Sequence, residues 1–181
     1  MAETDDTGRL IRLSRLDGRR RTPVRLRPDA AACAAIAERL GLIALRKLRF
    51  EGELVPEGRA DWRLEARLGA TIVQPCVVTL APVTTRIDTE LSRSYRAGMP
   101  AMPEGDEIEM PEDETEEPLP EVLDLGAVME EALALCLPLY PRAEGAELGE
   151  AVYAAPGLEP MRDDDVKPFA ALADLKKRMD D

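Results

Sequence analysis

The feature that most constrains this chain is a change of hydrophobic period. From Leu42 to Arg96 apolar residues recur at every second position, the spacing of strands with one buried face. In "LRKLRFEGEL", Leu48, Phe50 and Leu54 share one face, and Lys47, Arg49 and Glu51 share the other. "PEGR" (56–59) reads as a turn. In "DWRLEARL", Trp62, Leu64, Ala66 and Leu68 point one way and Arg63, Glu65 and Arg67 the other. The pair predicts a hairpin with one wet face. Gly69 predicts a bulge or bend. "ATIVQPCVVTLA" then reads as a further strand, apolar on both faces. Pro75 inside it predicts an edge position or a bulge, because proline donates no ladder hydrogen bond. "VTTRIDTELSRSY" alternates again, with Val83, Thr85, Ile87, Thr89, Leu91 and Tyr95 inward. The expectation is a strongly curved antiparallel sheet or partial β-barrel.

Period 3.6 holds on either side of this block. "DAAACAAIAERLG" (29–41) predicts a helix with Asp29 as its cap and Gly41 past its end. Cys33, Ile36, Ala37 and Leu40 form its packing stripe. "DLGAVMEEALALCLP" (124–138) predicts a second, amphipathic helix capped by Asp124, with Leu125, Val128, Met129, Ala132, Leu133 and Cys136 in one stripe. "KPFAALADLKKRMDD" predicts a short closing helix over 167–179. "RLIRLSRL" (9–16) reads as a short basic strand. The fold class is therefore α+β, in a single domain over 1–181. An acidic, proline-rich loop spans 99–121, and an irregular segment spans 142–166. The loop is expected to be mobile, since it buries too little apolar surface to offset its ordering entropy.

Charge is split along the chain. The net charge is −12, which on average disfavours a general nucleic-acid binder. Yet Arg9 to Arg49 holds twelve Lys/Arg against three Asp/Glu, whereas Met99 to Glu121 holds ten Asp/Glu and no Lys or Arg. There is no histidine, which removes the commonest general base and zinc nitrogen ligand. Three cysteines, with no CxxC pair, argue for a reducing compartment and against a disulfide framework. No apolar run reaches a membrane span, and the N-terminus lacks the pattern of a signal peptide. The expected location is cytoplasmic, with no membrane partner.

Few residues offer chemistry. Cys76 has no histidine to activate it and reads as a packing residue. A metal site of Cys33, Cys76 and Cys136 lacks any ligand spacing. The acidic runs lack the spacing of a calcium loop. No catalytic residue, metal or cofactor is expected. Two charged sets remain as binding candidates. Arg19, Arg20 and Arg21 on a turn, with Arg46, Lys47 and Arg49 on a strand, suit RNA phosphates. The stacking aromatics that single-strand binders use are missing. Asp106, Glu107, Glu109, Glu112, Asp113, Glu114, Glu116 and Glu117 suit a basic partner.

Three stretches together resemble the YceD family, whose members are described as large-ribosomal-subunit RNA accumulation proteins. "PCVVTLAP" is similar to the family's C-x-R-C-x-x-P strand motif, with Cys76 on its first cysteine and Pro82 on its proline. "EVLDLGAVMEEALALCLPLYP" is similar to its acid-led helix motif, through Leu125, Glu130, Leu133, Pro138 and Pro141. "KPFAALADLKK" is similar to its "NPFAVLxxLK" ending, through Pro168, Phe169, Leu172, Leu175 and Lys176. The chain departs from the pattern at Val78 (arginine in the motif), at Thr79 (its second cysteine) and at Lys167 (asparagine). A further cysteine of the family has no counterpart in "PRAEGAEL". The resemblance implies a non-enzymatic ribosome-biogenesis factor supporting accumulation or maturation of large-subunit (23S) ribosomal RNA. Its expected partners are that RNA or its precursor, or a basic large-subunit ribosomal protein. The alternatives are a metal-dependent nuclease using acidic residues and an acidic adaptor unrelated to ribosomes.

Overall fold

The computed structural model describes residues 9–58, 60–99, 116–147 and 154. Backbone contacts group 1–144 into one compact unit and 145–181 into a second. Every element described below lies in the first unit. The expected closing helix over 167–179 lies outside the described residues, as does most of 142–166.

Two long strands dominate. The strand β3 (Ala44–Glu57) and the strand β4 (Asp61–Pro75) form the expected hairpin, which closes where Glu57 pairs with Asp61. Gly58 takes a positive φ of 62° in the turn, a conformation that costs a glycine little. β5 (Pro82–Arg96) returns antiparallel along the whole of β4. Two expectations are corrected here. "ATIVQPCVVTLA" is not a separate strand: Ala70–Pro75 finishes β4, and Cys76–Ala81 turns the chain into β5. Pro75 is thus the last residue of its strand, where a missing N–H costs little. The bulge lies in the partner strand, next to the Arg49–Gly69 pair, and not at Gly69 itself. Arg46 pairs with Thr71 and Arg49 with Gly69, so Lys47 and Leu48 together oppose Ala70.

The sequence explains that bulge. Leu45, Leu48 and Phe50 are all buried, but Leu45 and Leu48 are three residues apart, which breaks the alternation of a regular strand. One extra residue restores the parity. Lys47 absorbs the twist at φ 52°.

β2 (Thr22–Leu26) pairs with β3, and its Pro23 sits comfortably on a sheet edge. At the opposite edge, β6 (Glu116–Pro118) pairs with the end of β5 in parallel, which corrects the expectation of a wholly antiparallel sheet. The order β2-β3-β4-β5-β6 leaves two free edges, so the sheet is open and no barrel closes. A second, two-stranded sheet joins β1 (Leu10–Arg12) to β7 (Val122–Asp124). The expected first strand is shorter than its sequence pattern, because Leu13–Arg15 turns into a short 3-10 helix.

Both helices form as the pattern predicts. Helix α1 (Ala30–Arg39) begins where the Asp29 carboxylate accepts the Ala32 N–H, and Gly41 follows it at φ 64°. Helix α2 (Leu125–Leu135) begins where the Asp124 carboxylate accepts the N–H groups of Gly126 and Ala127. α1 packs on β3, and α2 on β4 and β1. One core joins these elements, with Phe50, Leu54, Leu64, Leu68, Ile72, Leu125 and Leu133 fully buried. Each such side chain contributes about 1.5–3 kcal/mol. Polar clamps tie the layers. Arg39 pairs Glu130 through two contacts of 2.7 Å, joining α1 to α2. Arg93, only 14% exposed, reaches Glu117 of β6 at 3.0 Å and Glu131 of α2 at 2.8 Å.

Candidate nucleic-acid interface

The face of the sheet turned away from the helices is a lattice of paired charges. Arg27 and Arg25 meet Glu51, Arg21 meets Glu53, and Arg67 meets Glu90. Each of these cations already has a carboxylate partner, which leaves it less to offer a phosphate. The exception is the end of the sheet around the bulge. Arg46 and Arg86 flank Thr71 in one row, and Arg49 and Asp88 flank Gly69 in the next. Lys47 is turned outward by the bulge, so Arg46, Lys47 and Arg49 are all exposed. Four cations here face a single carboxylate, Asp88.

That carboxylate organises the patch. Its oxygens accept from Arg49 at 2.8 Å and from Arg86 twice at 2.7 Å. The Arg86 guanidinium, followed by its field and that of Arg49, holds the Asp88 carboxyl below the usual range. Arg86 also donates to the Thr71 hydroxyl at 3.3 Å. Gly69 makes room for all of this. A Cβ there would lie 2.6 Å from Arg49 Nε, 2.8 Å from Arg86 Nη2 and 2.9 Å from Asp88 Oδ1. Two guanidiniums held flat by one carboxylate still present N–H donors to solvent, and the guanidinium fork matches phosphate oxygens. Arg46 and Lys47 have no ion pair with any described residue.

The six basic candidates do not form one site. Arg21 precedes Thr22, which pairs with Leu54. Leu54 lies eight residues beyond Arg46 in β3, about 26 Å at about 3.3 Å per residue. Arg20 lies 3.6 Å from Asp17, and the Arg19 N–H donates to the same carboxylate. The turn of Arg19–Arg21 and the bulge of Arg46–Arg49 are therefore two separate places, and the surplus charge is at the bulge. Arg86 was not among the sequence candidates. Its signal is the register that sets it across Thr71 from Arg46, which alternation within one strand does not reveal.

The acidic candidates divide as well. Glu116 pairs Arg96 at 2.8 Å and Glu117 pairs Arg93 at 3.0 Å, so both already hold β6 in place. Asp106, Glu107, Glu109, Glu112, Asp113 and Glu114 lie outside the described residues. Among the described residues no group of three or more Cys, Asp or Glu is placed to hold a metal ion, and no helix is long and apolar enough to cross a membrane.

The motif residues meet at the rim of the sheet. Cys76 lies at the start of the β4–β5 turn and is fully buried. Its Sγ accepts the N–H groups of Ala143 at 3.3 Å, Val78 at 3.4 Å and Thr79 at 3.5 Å. The Thr79 hydroxyl and these N–H groups, led by that of Ala143, pull the thiol down to about 6 against the effect of burial. The Pro138 carbonyl accepts from Gln74 Nε2 at 3.3 Å, and the Pro141 carbonyl accepts the Val77 N–H at 2.9 Å. Pro82 opens β5 opposite Pro75, and Leu125 is fully buried at the start of α2. The strand motif and the helix motif are thus bonded to one another. Pro168, Phe169, Leu172, Leu175 and Lys176 lie outside the described residues.

Residues 64–176 match the model of the family described as "Large ribosomal RNA subunit accumulation protein YceD". Neither the curated proteins nor the solved structures contain a match to this chain. The family match spans well over half of the sequence and includes the bonded strand and helix motifs, so the chain belongs to the YceD family.

Proposed function

We propose that the protein supports accumulation of large-subunit ribosomal RNA by binding that RNA or its precursor through the bulge patch. Arg46, Lys47, Arg49 and Arg86 take the phosphates, with Asp88 fixing two of the four guanidinium and ammonium groups in place. The observation that supports this most is the bulge itself. It turns two adjacent cations outward on a face whose other cations are already paired. The role is that of a binding factor. The family description names accumulation and no reaction, and the one carboxylate of the patch, Asp88, is engaged by Arg49 and Arg86.

The test is a pull-down from cells at low and moderate salt, comparing wild type with Arg46→Glu/Lys47→Glu. Wild type recovers large-subunit ribosomal RNA, and the double variant loses most of it while remaining folded. Equal recovery by the two proteins would contradict the assignment to this patch. Recovery of neither ribosomal RNA nor ribosomal proteins would contradict the reading as a whole. A basic large-subunit protein that is lost on deleting residues 100–115, with RNA retained, would assign the acidic segment a partner of its own.

A further inference from the structure

We infer that the rim of the sheet beside the bulge patch is a base-stacking platform, with Tyr140 as its ring, and that the RNA it takes is single-stranded. This rests on the RNA reading above and says which form of RNA is bound.

Scarcity of aromatic residues in the sequence argues against stacking, but the position of one ring reverses that argument. Tyr140 is 77% exposed, although a tyrosine ring ordinarily hides most of its apolar body. Leu139, next to it in the chain, is 84% exposed, and on the β4–β5 turn, which is bonded to this segment through Val77 and Pro141, Leu80 is 76% exposed and Val77 is half exposed. Large apolar side chains grouped in water mark a contact surface.

The backbone under this surface is fixed. The carbonyls of Pro138 and Pro141, on either side of Tyr140, accept from Gln74 and Val77, and the Ala143 N–H donates to Cys76 Sγ. The β4–β5 turn is closed by Cys76 N–H to Ala81 O at 2.8 Å and by Leu80 N–H to Cys76 O at 3.0 Å. Leu80 is held there at φ 61°. A non-glycine residue in that conformation is strained, and such strain persists where the surrounding structure demands it. An exposed leucine gains nothing in the core from it. A ring on so rigid a support contacts a ligand at little entropic cost.

Charge favours a nucleic acid as the occupant. Val77 follows Thr71 by six residues, which sets the rim within about 20 Å of the row holding Arg46 and Arg86. That span lies inside the footprint of single-strand binders, about 4–16 nucleotides. An unpaired strand has both things this surface lacks, phosphates for the cations and a free base face for the ring. A duplex keeps its bases stacked inside and offers Tyr140 nothing. A basic protein segment would be repelled by the same cations.

The test uses a fluorescein-labelled 12-nucleotide mixed-sequence RNA and its 12-base-pair duplex, read by anisotropy. Wild type binds the single strand more tightly. Tyr140→Ala lowers single-strand affinity about tenfold, the scale of one base–aromatic stack, and leaves duplex affinity unchanged. Tyr140→Phe restores the wild-type value. In Tyr140→Trp the new indole is quenched on adding single-stranded RNA, while the buried Trp62 supplies a constant background. If Tyr140→Ala binds the single strand as wild type does, and Arg46→Glu/Lys47→Glu does not, the platform is wrong and the phosphate patch stands. If wild type binds neither RNA, both are wrong.

Discussion

Cys76 shows how far a residue's surroundings alter its reading. As a letter in an apolar run it is a filler. In the structure it opens the turn after β4 and accepts N–H groups from two loops, one of them in the segment after α2. The folded thiol is pulled down to about 6 by the Thr79 hydroxyl first and the Ala143 N–H next, whereas an unfolded cysteine titrates near 8.5. The folded state therefore favours thiolate. The stability this brings is present in full above the unfolded pKa and is lost as pH falls through about 6. With no histidine in the chain, few other groups titrate in that window. Urea unfolding of wild type is expected to show stability rising from pH 6 to pH 8.5, with the rise absent in Cys76→Ser. A slope retained by the serine variant would show that another group carries it. The sequence could not reveal this nest, because one of its three N–H donors, Ala143, lies 67 positions away.

At the scale of elements, local patterns were legible wherever a single element decides the outcome. Both caps, both helix stripes and the β3–β4 hairpin follow from residue spacing alone. What the spacing misplaced depends on pairs of strands. The run from Ala70 to Ala81 looks like a strand because its residues are apolar, but its second half is a turn in which only Cys76 is buried, while Val77 and Leu80 face solvent. In the sequence the visible signal for a bulge is Gly69. The bulge belongs instead to Lys47, where the three-residue step from Leu45 to Leu48 forces it. Glycine at this position tolerates the left-handed backbone, so Lys47→Gly is expected to keep stability within about 1 kcal/mol of wild type. Lys47→Val, β-branched at a positive φ, is expected to cost about 1–2 kcal/mol. Chemical denaturation distinguishes them, and equal midpoints for the two variants would contradict a strained bulge.

At the scale of the molecule, the split of charge along the sequence becomes a pattern of pairing in space. Most basic residues of the N-terminal half meet acidic partners across the sheet or between layers, among them Arg21, Arg27 and Arg39. The last acids of the proline-rich segment are used in the same way, to fasten β6. A net charge of −12 is therefore compatible with one place where cations are in excess. Sequence could name Arg46, Lys47 and Arg49 but not Arg86, and could not separate them from Arg19–Arg21, because strand register decides both. The central claim is that this local excess binds RNA phosphates. The direct measurement is the salt dependence of single-stranded RNA affinity for wild type and Arg46→Glu/Lys47→Glu. About four neutralised phosphates predict a slope of about −3 in log K against log salt. Loss of two contacts should flatten it by at least about 1.4, with weaker binding at low salt. The same slope and affinity in both proteins would contradict the claim.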